Sequence, residues 1–271
     1  MIDAHHHFWN PARGDYGWMV GEKVAPIVKE YGPKEFAQHL AKAGITKTVL
    51  VQAAPTIAET EYMLGIADAT DHVAKVVGWI NFENRADLRQ LERLAKHPKF
   101  SGVRPMIQDL PDSEWMHRKD IAWAFDAIID LDLTFDALGF PLHLDPFLRF
   151  FQRYPTMRTV IDHCMKPAIR NNAFELWASK ITVIAQDTQA FCKLSGIATE
   201  AEPGWSAETL RPYAQHVLES FGPDRVMWGS DWPVLNLNGS YDQWFSVALE
   251  LVPNVQHEAV FHSTAAHFYN I

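Results

Sequence analysis

A (β/α)8 barrel is the fold class this sequence predicts, and three observations carry it. Eight short, apolar, β-rich runs recur along the chain, amphipathic helical stretches lie between them, and several of the runs are apolar on both faces. The runs are Ile2 to Phe8, Thr46 to Ala53, Lys75 to Asn81, Ser101 to Ile107, Thr134 to Leu138, Thr159 to Cys164, Phe191 to Ser195 and Val226 to Ser230. TVLVQAA and VVGWINF are continuous rather than alternating, as strands must be when the barrel interior covers one face and helices the other. The 271 residues suit eight strand–helix units, and no linker, long charge run or internal repeat divides them, so one domain over residues 1–271 is expected, with some distortion of the barrel allowed. A doubly wound open sheet would want a glycine-rich phosphate loop after its first strand, and HHHFWNPARGDYG is not one.

The helical stretches have their own punctuation. Pro33 opens KEFAQHLAKAG, with Phe36, Leu40 and Ala43 on one face and Gly44 at the C-terminal cap. Asn84 can cap ADLRQLERLAKHP, where Leu88, Leu91 and Ala95 recur at helical spacing and Pro98 forbids continuation. KDIAWAFDAIIDL and AETLRPYAQHVLESFG repeat the pattern.

Composition narrows the function classes. Hydrophobic residues make up 48% and charged residues 21%, which is ordinary for a water-soluble protein. With 24 Lys and Arg against 33 Asp and Glu the net charge is −9, and no basic stretch offers a nucleic acid or an anionic membrane a footprint. The N-terminal MIDAHHHFWNP lacks the basic and apolar regions of a secretory signal, and no run is long enough to span a bilayer, so a cytoplasmic location is expected. Cys164 and Cys192 form no CxxC and read as buried thiols.

Candidate chemistry gathers at strand ends. His5 and His7 are two apart on a strand and project into one space, where two imidazoles can share a metal ion or simply bond loop carbonyls. Asp231, in RVMWGSDWP, follows the eighth strand, which neighbours the first in a closed barrel. His163, in TVIDHCMKP, follows the sixth strand, at the end where barrel enzymes place functional groups.

IDAHHHFWNPARGDYGWM, GVRPMIQDLPDSEW, VIDHCMKP, FCKLSG and FGPDRVMWGSDWPV, in this order over nearly the whole length, resemble the amidohydrolase superfamily, and within it the sugar-lactone hydrolase branch that includes L-fucono-1,5-lactonases. The resemblance implies that His5, His7, His163 and Asp231 are the catalytic residues. Two positions depart from the pattern: His6 stands where a glutamine is expected, and Pro105 follows Arg104 where relatives usually carry a histidine. Strand alternation turns His6 away from its neighbours toward the core, whereas Pro105 alters a substrate-facing position.

A binuclear centre would need a lysine or carboxylate on the fourth strand, and SGVRPMI has neither. One divalent ion, zinc, held by His5, His7 and Asp231 or His163 with one position left for water, still fits, and the resemblance implies that the metal is optional. The expected reaction is hydrolysis of a small-molecule sugar-acid lactone, an ester electrophilic enough for Asp231 to act as general base while the imidazoles hold the carbonyl oxygen. Arg104 and Lys193 are expected to bind substrate oxygens. Trp232 and Trp79, with Trp18 and Trp205, are expected to wall the sugar, and Asp136 to line the cavity. Asp162 is expected to face away from His163 in a structural role. A zinc-dependent decarboxylase or hydratase, which would recruit His143 as a ligand, and a non-catalytic sugar-acid-binding barrel are the rival readings.

Overall fold

The computed structural model describes residues 1–271. Its strands are β1 (Ile2–His6), β2 (Lys47–Val51), β3 (Val73–Gly78), β4 (Phe100–Val103), β5 (Thr134–Ala137), β6 (Arg158–Ile161), β7 (Phe191–Leu194) and β8 (Val226–Trp228). All are parallel and pair in chain order from β1 to β8. Helices α1 (Pro33–Ala43), α2 (Ile57–Asp68), α3 (Leu88–Leu94), α4 (Ala122–Asp130), α5 (Leu144–Arg153) and α6 (Glu175–Asp187) each return the chain to the next strand. The short α7 (Ile197–Glu200) and α8 (Ala207–Phe221) follow β7, and α9 (Tyr241–Leu251) and α10 (Thr264–Tyr269) follow β8.

The seam between β8 and β1 is where the barrel is irregular. His6 pairs with Trp232 in a lone parallel bridge, His7 N donates to Trp232 O at 2.7 Å, and Asp231 N donates to His5 O at 2.8 Å. Closure is therefore made by residues beyond β8 rather than by a regular ladder. Within β1 the pairing to β2 shifts between Asp3 and His6, the mark of a bulge. Ala4 packs inside the barrel and His5 also enters it, while Asp3 reaches outward to the Tyr241 hydroxyl on α9.

Every strand ends earlier than its apolar run. β4 stops at Val103 because Pro105 has no N–H for a ladder, and the chain bends into a 3-10 turn over Ile107–Asp109. β6 stops at Ile161 because the chain then turns left-handed from His163. The apolar pattern outlasts the ladder because these loops fold inward over the barrel mouth. The helix signals hold better: Pro33 is the first residue of α1, and Gly44 caps it at φ 67° with its N–H on the Leu40 and Ala41 carbonyls. Asn84 caps a 3-10 turn over Arg85–Asp87 instead of α3 directly, and α3 is shorter than its periodicity suggests.

Two cores result. Ile2, Ala4, Val49, Val51, Val77, Val160 and Met227 fill the lower barrel, closed by Ala265, Phe268 and Tyr269 of α10. The larger core lies between strands and helices, and Phe36 of α1 is its pin at the closing seam. Its ring stacks on His6 at 4.4 Å and on Trp232 at 4.7 Å, and meets Phe8 and Tyr241 edge-on. No helix is long and apolar enough to cross a membrane. Replacing Phe36 by alanine is expected to lower unfolding free energy by about 3–5 kcal/mol in urea denaturation, whereas a loss below about 1 kcal/mol would show that the seam does not depend on this ring.

Candidate active site

The closing seam delivers the residues that the strand ends predict. Asp231 is carried beside β1 by the bond from its own N–H to His5 O, and its backbone sits at φ 57°. Its Oδ1 lies 3.4 Å from His7 Nε2, 3.8 Å from His5 Nε2 and 3.9 Å from His163 Nε2. His5 Nε2 and His7 Nε2 are 3.2 Å apart. His163 begins a run of four left-handed residues, His163 to Lys166, at φ 48–59°. Such conformations are costly for residues with a Cβ and persist where the surroundings fix them. Two glycines make room for the rings: a Cβ at Gly196 would fall 2.5 Å from His163 Nδ1, and one at Gly229 would fall 2.7 Å from His5 Cβ.

Beneath this cluster the barrel centre is charged. Lys193 Nζ donates to Asp136 Oδ2, lies 3.1 Å from Asp162 Oδ1 and 3.1 Å from His5 Nδ1, and is fully buried. Tyr269 of α10 donates to Asp136 from below at 2.9 Å. Above, Arg104 Nη1 donates to Asp162 Oδ2 at 3.3 Å, and the Arg104 and Gln52 side chains each donate to the other's backbone carbonyl. Arg104 Nε has no protein partner.

These contacts settle one imidazole tautomer. His7 Nδ1 is 2.7 Å from the Val51 carbonyl, a pure acceptor, so Nδ1 carries the hydrogen and Nε2 faces the cluster bare. His5 is contested: the donor-only Lys193 Nζ at 3.1 Å favours an accepting Nδ1 with the hydrogen on Nε2 toward His7. Asp162 Oδ1 at 3.4 Å from Nδ1 and Arg104 Nη1 at 3.4 Å from Nε2 favour the reverse, and the shortest contact is the one to Lys193. Burial lowers the pKa of all three histidines, His163 to about 4. Burial opposes ionisation of Asp231 as well, but His163, His7 and Lys166 outweigh it and hold the carboxyl below its ordinary value. Asp162 is likewise kept well below the usual range, against burial, by Lys193, His5 and Arg104. At neutral pH the site is a carboxylate facing neutral imidazoles.

A cavity of about 230 Å³ opens onto the cluster, lined by His7, Arg104, His163 and Asp231, with Trp9, Trp18 and Met106 among its walls. Lys166 and Gln108 also line it, the lysine donating to Gln108 Oε1 at 2.7 Å. Lys166 was not singled out from the sequence. Nothing in the sequence marked it, because it faces the cavity through the left-handed run from His163 to Lys166.

Several residues lie elsewhere than expected. Lys193 does not face the cavity; it is sealed below His5, because its strand position points into the barrel centre. Trp232 is 1% exposed and packed against Phe36 and Tyr31, since the seam turns its ring outward to α1. Trp205 packs on Trp244, away from the site. Trp79 lines a neighbouring cavity, and Trp18 lines both. Asp136 is buried under Lys193 and does not line the mouth. Asp162 does not face away from the histidines; the left-handed turn at His163 breaks strand alternation and leaves Asp162 Oδ1 3.4 Å from His5 Nδ1. His143 accepts a bond from Phe140 N at the start of α5 and takes no part in the cluster. His6 is stacked in the core, with Nε2 on the Thr48 hydroxyl.

The donor set suits one divalent ion. Zinc–ligand distances near 2.0–2.1 Å set tetrahedral ligand atoms about 3.4 Å apart, close to the 3.2 Å between His5 and His7 and the 3.4 to 3.9 Å from Asp231 to each of the three histidines. His5, His163 and Asp231 place their ligand atoms within 4.8 Å of one another. For His5 to contribute Nε2, its hydrogen must sit on Nδ1, which then donates to Asp162 instead of accepting from Lys193.

Comparison with known proteins agrees with this architecture. The chain is 40% identical to an L-fucono-1,5-lactonase of Burkholderia ambifaria, covering 100% of this chain and 95% of that protein. It is 31% identical to an L-fucono-1,5-lactonase of Burkholderia multivorans, covering 99% and 95%. A crystal structure of an amidohydrolase from Burkholderia multivorans with bound zinc superposes with a TM-score of 0.92 at 30% identity, covering 100% of this chain and 99% of that one. The amidohydrolase family profile matches residues 2–271, and the chain belongs to that family.

Proposed function

We propose that this protein hydrolyses the lactone of a sugar acid, with L-fucono-1,5-lactone as the first substrate to test, since two relatives carry that activity in their names. The observation that carries the reading is the Asp231 carboxylate, ionised and set among neutral imidazoles at the floor of a small cavity. A carboxylate so placed takes a proton from water as that water attacks the lactone carbonyl carbon. Negative charge moves to the carbonyl oxygen, where Arg104, with its unpartnered Nε, and Lys166 are the available donors lining the cavity. The ring C–O bond then breaks, and the proton held by Asp231 passes to the departing alkoxide, leaving a hydroxy acid that ionises in solution. Lys193, Asp136 and Asp162 hold His5 in register from below rather than touching substrate. A divalent ion held by His5, His7 and Asp231 or His163, with one position left for water, would add Lewis-acid activation of water and carbonyl, and zinc is the ion to test, given the zinc-bound neighbour. The decarboxylase reading lacks its ligand, because His143 lies at the start of α5, outside both the cluster and the cavity lining. We place the protein in the cytoplasm because MIDAHHHFWNP does not read as a secretory signal and no run is apolar and long enough to span a bilayer, and its net charge of −9 disfavours nucleic acid or an anionic membrane as partner.

Proton release on fresh L-fucono-1,5-lactone is expected to fall by about 10²–10⁴-fold in Asp231→Asn, with far-UV circular dichroism unchanged. Equal turnover in the variant would remove Asp231 from the chemistry.

In the chelated protein, kcat/KM is expected to stay flat between about pH 6 and about pH 8. It should fall only on approach to the His163 value of about 4, because protonation there and then at Asp231, whose pKa is also lowered, removes the base as pH drops. A limb near neutrality would assign the base to another group.

Calorimetric zinc titration is expected to give one ion per chain, weakened at least about 10-fold in His7→Ala and in His163→Ala. Unchanged affinity in both would show that zinc binds elsewhere.

A further inference from the structure

Beside the reaction cavity lies a larger one, about 570 Å³, at the mouth above β3 and β4. Trp18, Met106 and Asp109 line both, so the two adjoin. The Trp18 indole N–H donates to the Ala53 carbonyl at 2.7 Å, which holds its ring as the wall between them. The reaction cavity, at about 230 Å³, is below the ~300–1,000 Å³ usual for small-molecule sites, and the annex falls within it.

The two spaces differ in chemistry. The reaction cavity has Arg104, Lys166, His7 and His163 in its lining. The annex has no lysine, arginine or histidine; it has the aromatic rings of Trp79, Phe82 and Trp115, with Asn81, Asp15 and Glu83 as polar groups. Indole faces pack against the C–H face of a sugar ring, and carboxylates and amides bond its hydroxyls. Arg13 and Arg118, the nearby cations, are held by Asp15 and Glu83 and lie outside the lining, so the annex itself offers an anionic group no cation. The Trp115 indole N–H is already held by Glu83 at 3.0 Å, so that pair is preorganised.

We infer that the annex is a subsite for a neutral, hydroxyl-rich substituent, so that the substrate class of the site extends to aldonolactones carrying a glycosyl group. This rests on the lactonase reading above. The reacting ring would lie over Asp231 and the glycosyl ring against Trp79, beyond the Trp18 wall.

The test compares kcat/KM for L-fucono-, galactono- and glucono-1,5-lactone with that for their O-glycosyl derivatives, including lactobiono-, cellobiono- and melibiono-1,5-lactone. On at least one parent that turns over, a glycosyl derivative is expected to be about tenfold better. Leu110→Trp and Gly17→Trp, which fill the annex from two sides, should erase that gain and leave the parent rate unchanged; the space at Gly17 is open to a side chain. If every derivative is slower than its parent, or the gain survives both filling variants, the annex is not a glycosyl subsite while the lactonase reading stands. If no lactone of either kind turns over, both readings fall.

Discussion

Lys193 Nζ stands at the centre of the barrel between Asp136 and Asp162, with His5 against it and no solvent in reach. Taking such charges out of water is expensive, and removing one partner of a buried pair costs about 3–5 kcal/mol because the other is left uncompensated. The barrel accepts this arrangement where an apolar layer would serve stability as well. What the ammonium supplies is orientation: at 3.1 Å it favours an accepting His5 Nδ1 and a hydrogen on Nε2, against the longer Arg104 and Asp162 contacts at 3.4 Å, and so sets the polarity of the cluster above. Tyr269 from α10 and Arg104 from the end of β4 bind the two carboxylates from opposite sides, so the helix that plugs the barrel floor and the loop that walls the cavity are joined through one network.

The same economy explains the seam. A regular β8–β1 ladder would have kept Asp231 in a strand, facing one way by alternation. Instead the chain leaves β8 after Trp228, takes a left-handed conformation at Asp231, and bonds to His5 and His7 through single backbone contacts. That irregularity turns the carboxylate inward and Trp232 outward, where the indole packs on Phe36. The site and the core beside it are thus two faces of one short segment.

The barrel was legible because short continuous apolar runs and period-3.6 apolar stretches succeed one another without interruption, and the four central residues were legible because each sits at or just past the C-terminal end of a strand, where barrel enzymes place functional groups. Two misplacements share a cause. Asp162 and Trp232 lie beside left-handed backbone, where alternation no longer tells which way a side chain points, and Lys166, not singled out from the sequence, lies within it. Lys193 was misread for another reason: a lysine on a strand pattern looks like a ligand to substrate, and nothing in the local sequence reveals that two aspartates from β5 and the end of β6 meet it inside the barrel.

The central claim, that Lys193 sets the His5 tautomer on which the site's polarity depends, is tested most directly by ¹⁵N NMR of the histidine ring nitrogens in the chelated protein, with His5 assigned by His5→Gln. The account predicts a neutral His5 ring with its hydrogen on Nε2 and an unprotonated Nδ1, changing to the other tautomer or to a mixture in Lys193→Met. A wild-type His5 ring protonated on Nδ1, or one unaffected by loss of the lysine, would contradict it.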